Sequence, residues 1–198
     1  MEAWYGQWID TMKNLLVPQL QKAVEKGERK QVMGPVEQLH EHLEEYFKAL
    51  EGAAEKDVLQ VLSPAWRSAA EKPFLWIGDF HPALLITLAA DSEGLSERVK
   101  KIHNVMTPML QDLFNRLRNV QLGLGTALAL DRSDALQEHL TELSCIFLDA
   151  NRLRRNVVSH ILSASDVSQA AHFLQGIAQL YISFRDPHLA ESLKRCNF

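Results

Sequence analysis

The residues able to do chemistry are dispersed along this chain. Eight histidines are present. His160 lies beside an apolar stripe through Val157 and Ile161, and His172 lies within Ala170-Ala-His-Phe-Leu174. An imidazole projecting into an apolar pocket is what an axial haem ligand needs, so both are candidates. The plainer account of each is a helix-flank histidine satisfied by solvent or backbone. His40 and His42 stand two apart and project from different sides of a helix, so they do not ligate jointly. Glu41, Glu44 and Glu45 are carboxylates of metal-binding type, but on a helix they read as a solvated face. Gly123-Leu-Gly125 follows no strand and reads as close helix packing or a kink, not a phosphate loop. Glycine-rich phosphate loops, nucleophile elbows and HExxH patterns are missing, so the expectation is a protein that is not an enzyme. Arg152, Arg154 and Arg155, with Arg116 and Arg118, are balanced by acidic residues, and carboxylates are their expected mates.

The elements that must position these groups read as helices almost throughout. Trp4, Trp8, Met12 (or Ile9), Leu15 (or Leu16) and Leu20 recur at 3–4 spacing from about Trp4 to Glu25. Lys26-Gly27-Glu28 ends that segment. A second helix is expected from near Pro35, a favourable first helical position, to about Leu50, and a short one from Lys56 to Leu62. Pro82 can start a helix over Ala83 to Ala90, followed by a loop at residues 91–94. Two long segments come next. Leu95 to Leu130 carries Val99, Ile102, Met106, Met109, Leu113, Leu117, Val120, Leu124 and Leu128. Asp134 to Ser163 carries Leu136, Leu140, Leu143, Phe147, Ala150, Leu153, Val157 and Ile161. Asp131-Arg-Ser-Asp134 is the turn between them. Ser165 or Asp166 caps a last helix, about Val167 to Arg185, and Pro187 stops it. No strand with reliable alternation is visible. The fold class expected is all-α: a single-domain bundle with two long antiparallel helices. Residues 1–198 form one domain with a core over about 4–185 and a tail at 186–198.

A chain of 198 residues, 46% hydrophobic and 23% charged, is ordinary for one globular core. Its net charge of −4 argues against direct nucleic-acid binding. No apolar run approaches membrane-span length, and the first residues lack a secretory signal pattern. Two cysteines do not make a disulfide scaffold, and a reducing compartment is expected. Cys145, among Leu143, Ile146 and Phe147, reads as a buried core thiol. Trp4, Tyr5 and Trp8 either pin the first helix to the bundle or anchor a partner protein, since Trp and Tyr dominate interface hot spots.

Ser63 to Pro82, SPAWRSAAEKPFLWIGDFHP, departs from the helical pattern. Pro73, Gly78 and Pro82 rule out one regular helix, and a compact Trp/Pro-rich elbow is expected. Within it, Ser68-Ala-Ala-Glu71 has the form of a capping box. This stretch, with Asp57 to Trp66 before it, resembles the plant Delay of Germination domain. That domain occurs in stand-alone seed-dormancy proteins and at the C-terminal end of TGACG-motif-binding bZIP factors. The resemblance rests on Trp66, Glu71 and Phe74-Leu-Trp76-Ile-Gly78, followed by Asp79-Phe-His81-Pro82. Asp79 stands where a second Gly is usual, and His81 where Arg is usual. Tyr5-Gly-Gln-Trp8, His42 with Tyr46, Asn151-Arg-Leu-Arg154 and Ser168 to Leu174 extend the likeness to about residues 4–185.

The resemblance implies a regulator that acts by binding proteins. The bZIP members engage ankyrin-repeat salicylate coactivators. The dormancy members bind and restrain type 2C protein phosphatases of abscisic-acid signalling. Lacking a bZIP region, this chain resembles the stand-alone type. Its expected partners are those phosphatases, or bZIP factors and coactivators, with Trp8 and its aromatic neighbours Trp4 and Tyr5 as the anchor. Effects on transcription, a nuclear and cytoplasmic location and homodimerisation are further expectations. The resemblance also raises haem binding through two positions of the last helix, which here are Tyr181 and Arg185. Tyr181 can ligate ferric haem and Arg185 cannot. A fatty acyl chain is the other ligand considered.

Overall fold

The computed structural model describes residues 1–90, 95–130 and 132–185. The first rod is α1 (Glu2–Thr11), a wider π turn (Met12–Leu16) and α2 (Val17–Lys26) in unbroken succession. The wide turn sits just ahead of Pro18. Proline has no N–H to give and its ring crowds the carbonyl four residues back, so a looser turn relieves the conflict. Gly27, at φ 71, closes α2 in the left-handed conformation that glycine adopts freely.

α3 (Arg29–Ala54) starts at once after Glu28 and runs through Pro35. This corrects the expected start near Pro35. The Gly27 cap and the extended Glu28 re-aim the chain directly, and the proline is carried in the second turn of the helix. α4 (Val58–Leu62) is capped by Asp57, whose Oδ1 accepts from the N–H groups of Leu59 and Gln60. α5 (Pro82–Ala90), α6 (Ser96–Ala129), α7 (Ser133–Ala164) and α8 (Val167–Ser183) follow. Asp166 forms a full capping box with Gln169 at the start of α8. The expected loop at 91–94, Asp131, the side chain of Leu128, Pro187 and the tail lie outside the described residues.

The protein is an all-α bundle. α6 and α7 form its long antiparallel pair. Arg98 reaches the Ala164 carbonyl at one end, and Arg116 bonds Glu142 and Asp149 midway. Toward the other end, a Cβ on Gly123 would run into the His139 ring, which is the close packing expected there. The core gathers Tyr5, Leu20, Tyr46, Leu50, Phe80, Phe147, Val158, Phe173 and Tyr181, all nearly closed to solvent.

Three further expectations are corrected. Cys145 is exposed, because the inward face of α7 is set by Leu143, Ile146, Phe147 and Ala150 and position 145 points away from it. Met109 is largely exposed beside the buried Met106. The elbow holds a two-residue antiparallel ladder, β1 (Leu75–Trp76) with β2 (Asp79–Phe80), too short to show alternation in sequence.

Candidate functional site

The elbow is organised by two buried arginines. Arg67 follows Trp66 in the irregular stretch after α4, and its guanidinium enters the bundle. Nη1 donates to the Tyr5 hydroxyl at 2.8 Å and to Glu71 Oε1 at 3.2 Å. Nη2 donates to Asp79 Oδ1 at 2.5 Å and to the Tyr46 hydroxyl. The carboxylates have further donors. Glu71 accepts from the Tyr5 hydroxyl at 2.8 Å and from the Ser68 N–H at 2.6 Å. Asp79 accepts from the Tyr181 hydroxyl at 3.0 Å and from the Phe80 N–H at 2.8 Å. Four rings surround the cation, those of Tyr5, Tyr46, Phe80 and Tyr181, with centroids 4.8–5.6 Å from the guanidinium carbon. A buried charge persists only when paired and bonded, and this one has both supports.

The electrostatics follow from burial. Burial opposes the Arg67 charge, but the Tyr46 oxygen and the Asp79 carboxylate outweigh it and hold the group above its ordinary range. Burial pushes the hydroxyls of Tyr5, Tyr46 and Tyr181 far up, so all three stay neutral, Tyr5 and Tyr181 donating to the carboxylates and Tyr46 accepting from Arg67.

Arg154, from α7, clamps the hairpin turn. Nε donates to the Phe80 carbonyl at 2.8 Å. Nη2 reaches the carbonyls of Ile77 at 3.0 Å, Asp79 at 3.3 Å and Trp76. Burial lowers its pKa, since its acceptors are neutral, and the nearby Asp79 charge offsets part of that. The turn needs such a clamp. Ile77 and Gly78 both have positive φ, 46° and 82°, as a tight two-residue hairpin requires. For a β-branched residue this is a strained conformation. Gly78 is demanded by space as well: a Cβ there would lie 2.6 Å from the Val61 carbonyl and 2.7 Å from the Phe147 ring.

Ser68 and Glu71 make the reciprocal bonds of a capping box, the Glu71 N–H reaching the Ser68 hydroxyl at 3.2 Å. Only a 3₁₀ turn at Lys72–Phe74 follows, because Pro73 prevents a longer helix. Trp66 is buried, and its carbonyl accepts from Arg185 at 3.0 Å. Trp76 is half-buried between the Arg154 guanidinium and the His81 ring. His81 Nδ1 accepts from the Ala83 N–H at 3.1 Å and so caps α5. Burial, then the Arg154 charge, lowers the pKa of this histidine.

Tyr5 and Trp8 lie in the core, while Trp4 is half-buried against Tyr46. Trp8 Nε1 donates to the His42 carbonyl at 2.8 Å, and the His42 ring meets the Trp8 carbonyl at 2.9 Å. This reciprocal pair fastens α1 to α3. His42 is thus spent on the first rod, while His40 lines a groove beside the start of α8.

The three residues considered for haem occupy separate settings. Tyr181 donates its hydroxyl to Asp79 inside the aromatic cluster. His160 lines a groove between α6 and α7, and His172 is exposed with Nδ1 against the Ser168 carbonyl. A tyrosine whose oxygen is committed in a packed interior does not fit an axial haem ligand. Among the described residues no three His, Cys, Asp or Glu side chains are arranged to hold a metal ion. No helix among them is long and apolar enough to cross a membrane.

Sequence reading passed over Arg67 altogether and took Asp79 only as a departure from a pattern. The four-residue spacing of Arg67 and Glu71 was the available signal. Arg154 was grouped with Arg152 and Arg155 as seeking carboxylates. Arg155 does bind Glu44 and Glu51, and Arg152 lies 3.4 Å from Asp149. Arg154 instead binds backbone carbonyls, because it points inward from the buried face of α7.

Comparison with known proteins agrees with this architecture. A family model described as DOG1, seed dormancy control, matches residues 16–91. Protein INAPERTURATE POLLEN 1 homolog of Oryza sativa subsp. japonica is 30% identical, the alignment covering 99% of this chain and 89% of that protein. Protein INAPERTURATE POLLEN1 of Arabidopsis thaliana is 26% identical over 96% of this chain and 92% of its own length. Transcription factor TGA1 of Arabidopsis thaliana is 26% identical over 93% of this chain, which spans 54% of the factor. The chain therefore belongs to the DOG1 seed-dormancy-control family, related along nearly its whole length to the INAPERTURATE POLLEN1 proteins and to about half the length of TGA1.

Proposed function

We propose that this chain is a non-enzymatic plant signalling regulator that works by binding other proteins, with effects on transcription. The observation carrying this reading is that the buried charged groups of the elbow are consumed internally. Arg67, Glu71 and Asp79 neutralise one another in a closed interior, and Arg154 is spent on a turn. What remains for function is the outer surface of a rigid bundle, with residues 4–185 as its folding unit. bZIP factors of the TGA type are the first partner class, because a domain related along 93% of this chain is part of TGA1. Type 2C phosphatases of abscisic-acid and dormancy signalling are the second, on the resemblance described for the stand-alone dormancy proteins. A nuclear location, with a cytoplasmic fraction, accompanies the first class.

The test is direct binding between purified full-length chain and each partner class, read by isothermal titration calorimetry. A TGA-type bZIP factor is expected to bind. A type 2C phosphatase is expected to bind and lose turnover of a phosphopeptide. Binding to neither class overturns the reading, as does a catalytic turnover assigned to the chain itself.

A further inference from the structure

Among the described residues, the face between α6 and α7 is left open along one side. A groove runs there from Lys101 to Arg116. It is continuous past Met109, Leu153 and Asn156, and its two halves enclose about 460 and about 250 Å³. Its floor is apolar, built by Ile102, Met106 and Leu113 from α6 and by Leu153 and Val157 from α7. Val105 and Met109 stand at its edge, 69% and 45% exposed. The fifteen steps from Lys101 to Arg116 at about 1.5 Å rise give a length of about 22 Å, enough for four turns of a docked helix. Flexible methionines in such a groove adapt to a variable apolar stripe.

The charges lining the groove leave one cation in excess, Lys101, Arg116 and Arg152 standing against Asp112 and Asp149. Its acidic groups are drawn onto Arg116, which holds Asp149 at 2.7 Å and Glu142 at 2.8 Å and lies 3.8 Å from Asp112. Two cations remain outward. Lys101 makes no close ion pair among the described residues, though its charge is felt by the exposed Glu97 four residues earlier. Arg152 is 71% exposed and has only a 3.4 Å contact to Asp149, which Arg116 already holds more closely. A ligand that covers Val105 and Met109 passes between them.

We infer that the α6–α7 groove receives an amphipathic helix of a partner protein, its apolar stripe on the methionine floor and its flanking acidic residues on Lys101 and Arg152. This is helix-in-groove recognition with the charge pattern setting orientation. The inference rests on the partner-binding reading and names the surface that would serve it.

The test uses the full-length chain with methyl-labelled methionines and two synthetic sixteen-residue amphipathic peptides. Both carry one leucine stripe at helical spacing, flanked by Glu in the first and by Lys in the second. The Glu peptide is expected to shift the Met106 and Met109 methyl signals and to bind at least tenfold more tightly than the Lys peptide. Met109→Glu is expected to weaken the Glu peptide at least tenfold while leaving the thermal midpoint near its original value. Lys101→Glu with Arg152→Glu is expected to reverse the peptide preference. Equal binding of the two peptides, or shifts confined to other methyl groups, overturns the inference. So does a dimer that becomes monomeric in Met109→Glu, since a second copy would then own the groove. Capture of a TGA-type factor that survives Met109→Glu also overturns it, while leaving the partner-binding reading intact.

Discussion

Asp79 Oδ1 lies 2.5 Å from Arg67 Nη2, and both side chains are closed to solvent. This contact ties the hairpin turn to the stretch after α4. Through the Tyr5, Tyr46 and Tyr181 hydroxyls it also ties both to α1, α3 and α8. The resemblance makes glycine usual at position 79. Here the carboxylate supplies Arg67 with a second counter-ion beside Glu71.

Arg67→Met would leave Glu71 and Asp79 buried without their cation. Breaking a buried pair by removing one partner costs about 3–5 kcal/mol, and that loss is expected in urea unfolding. Asp79→Asn should cost less, because Glu71 still neutralises Arg67. A loss below about 1 kcal/mol for Arg67→Met would contradict a structural role for the cluster.

Arg154→Lys keeps the charge but gives up the planar fork that serves the turn carbonyls. Each buried acceptor left unpaired costs about 1–3 kcal/mol, so the urea midpoint should fall clearly. Gly78→Ala should fall too, through its clash with Val61 and Phe147. An unchanged midpoint in both variants would mean that the strained turn is not held as described.

His81 must be neutral to accept the Ala83 N–H, and burial lowers its pKa in the folded chain. The unfolded chain therefore binds the proton more readily. By linkage, stability is complete above the ordinary histidine pKa near 6.5 and is lost as pH falls through and below it. His81→Asn keeps a cap acceptor without the titration. Comparing the urea midpoints of the two proteins from pH 7.5 to 5 should show a steeper acid decline in the parent. Parallel declines would remove His81 from the pH response.

Trp8→Ala deletes a core indole and its bond to His42, at an expected cost of about 3–5 kcal/mol. Lost partner binding in that variant would thus report unfolding as readily as a lost anchor. Trp4 is half-buried, and Trp4→Ala should cost about half as much. Circular dichroism melts rank the two, and the reverse order would refute this placement of the first helix.

Cys145 is exposed. In a Cys196→Ser background the folded chain should therefore react with a thiol reagent as fast as the urea-unfolded chain does, within a few fold. Protection by a hundredfold or more would return the thiol to the core.

Helix periodicity made α6, α7 and α8 legible to within a residue or two, and the same periodicity carried more than was read from it. Leu143, Ile146, Phe147 and Ala150 share one face of α7, and Cys145 falls opposite. Local apolar neighbours were mistaken for a shared direction. Pro35 misled in the other way: a residue favoured at helix starts was carried inside one, because the Gly27 cap had already turned the chain.

The sequence by itself determined the helices, their breaks at Gly27 and in the elbow, the reciprocal bonding of Ser68 with Glu71, the lack of a catalytic motif, and the family. Each of these depends on residues within a few positions of one another, where spacing decides geometry. Only the tertiary structure decided that Arg67 serves Tyr5, Tyr46, Glu71 and Asp79 together, that Tyr181 is spent on Asp79 from 102 residues away, and that Arg154 grips a strained turn 74 to 78 residues distant. Pairing of buried charges follows from which helix faces meet. It is settled by desolvation, since each charge must find a partner once the core has closed around it.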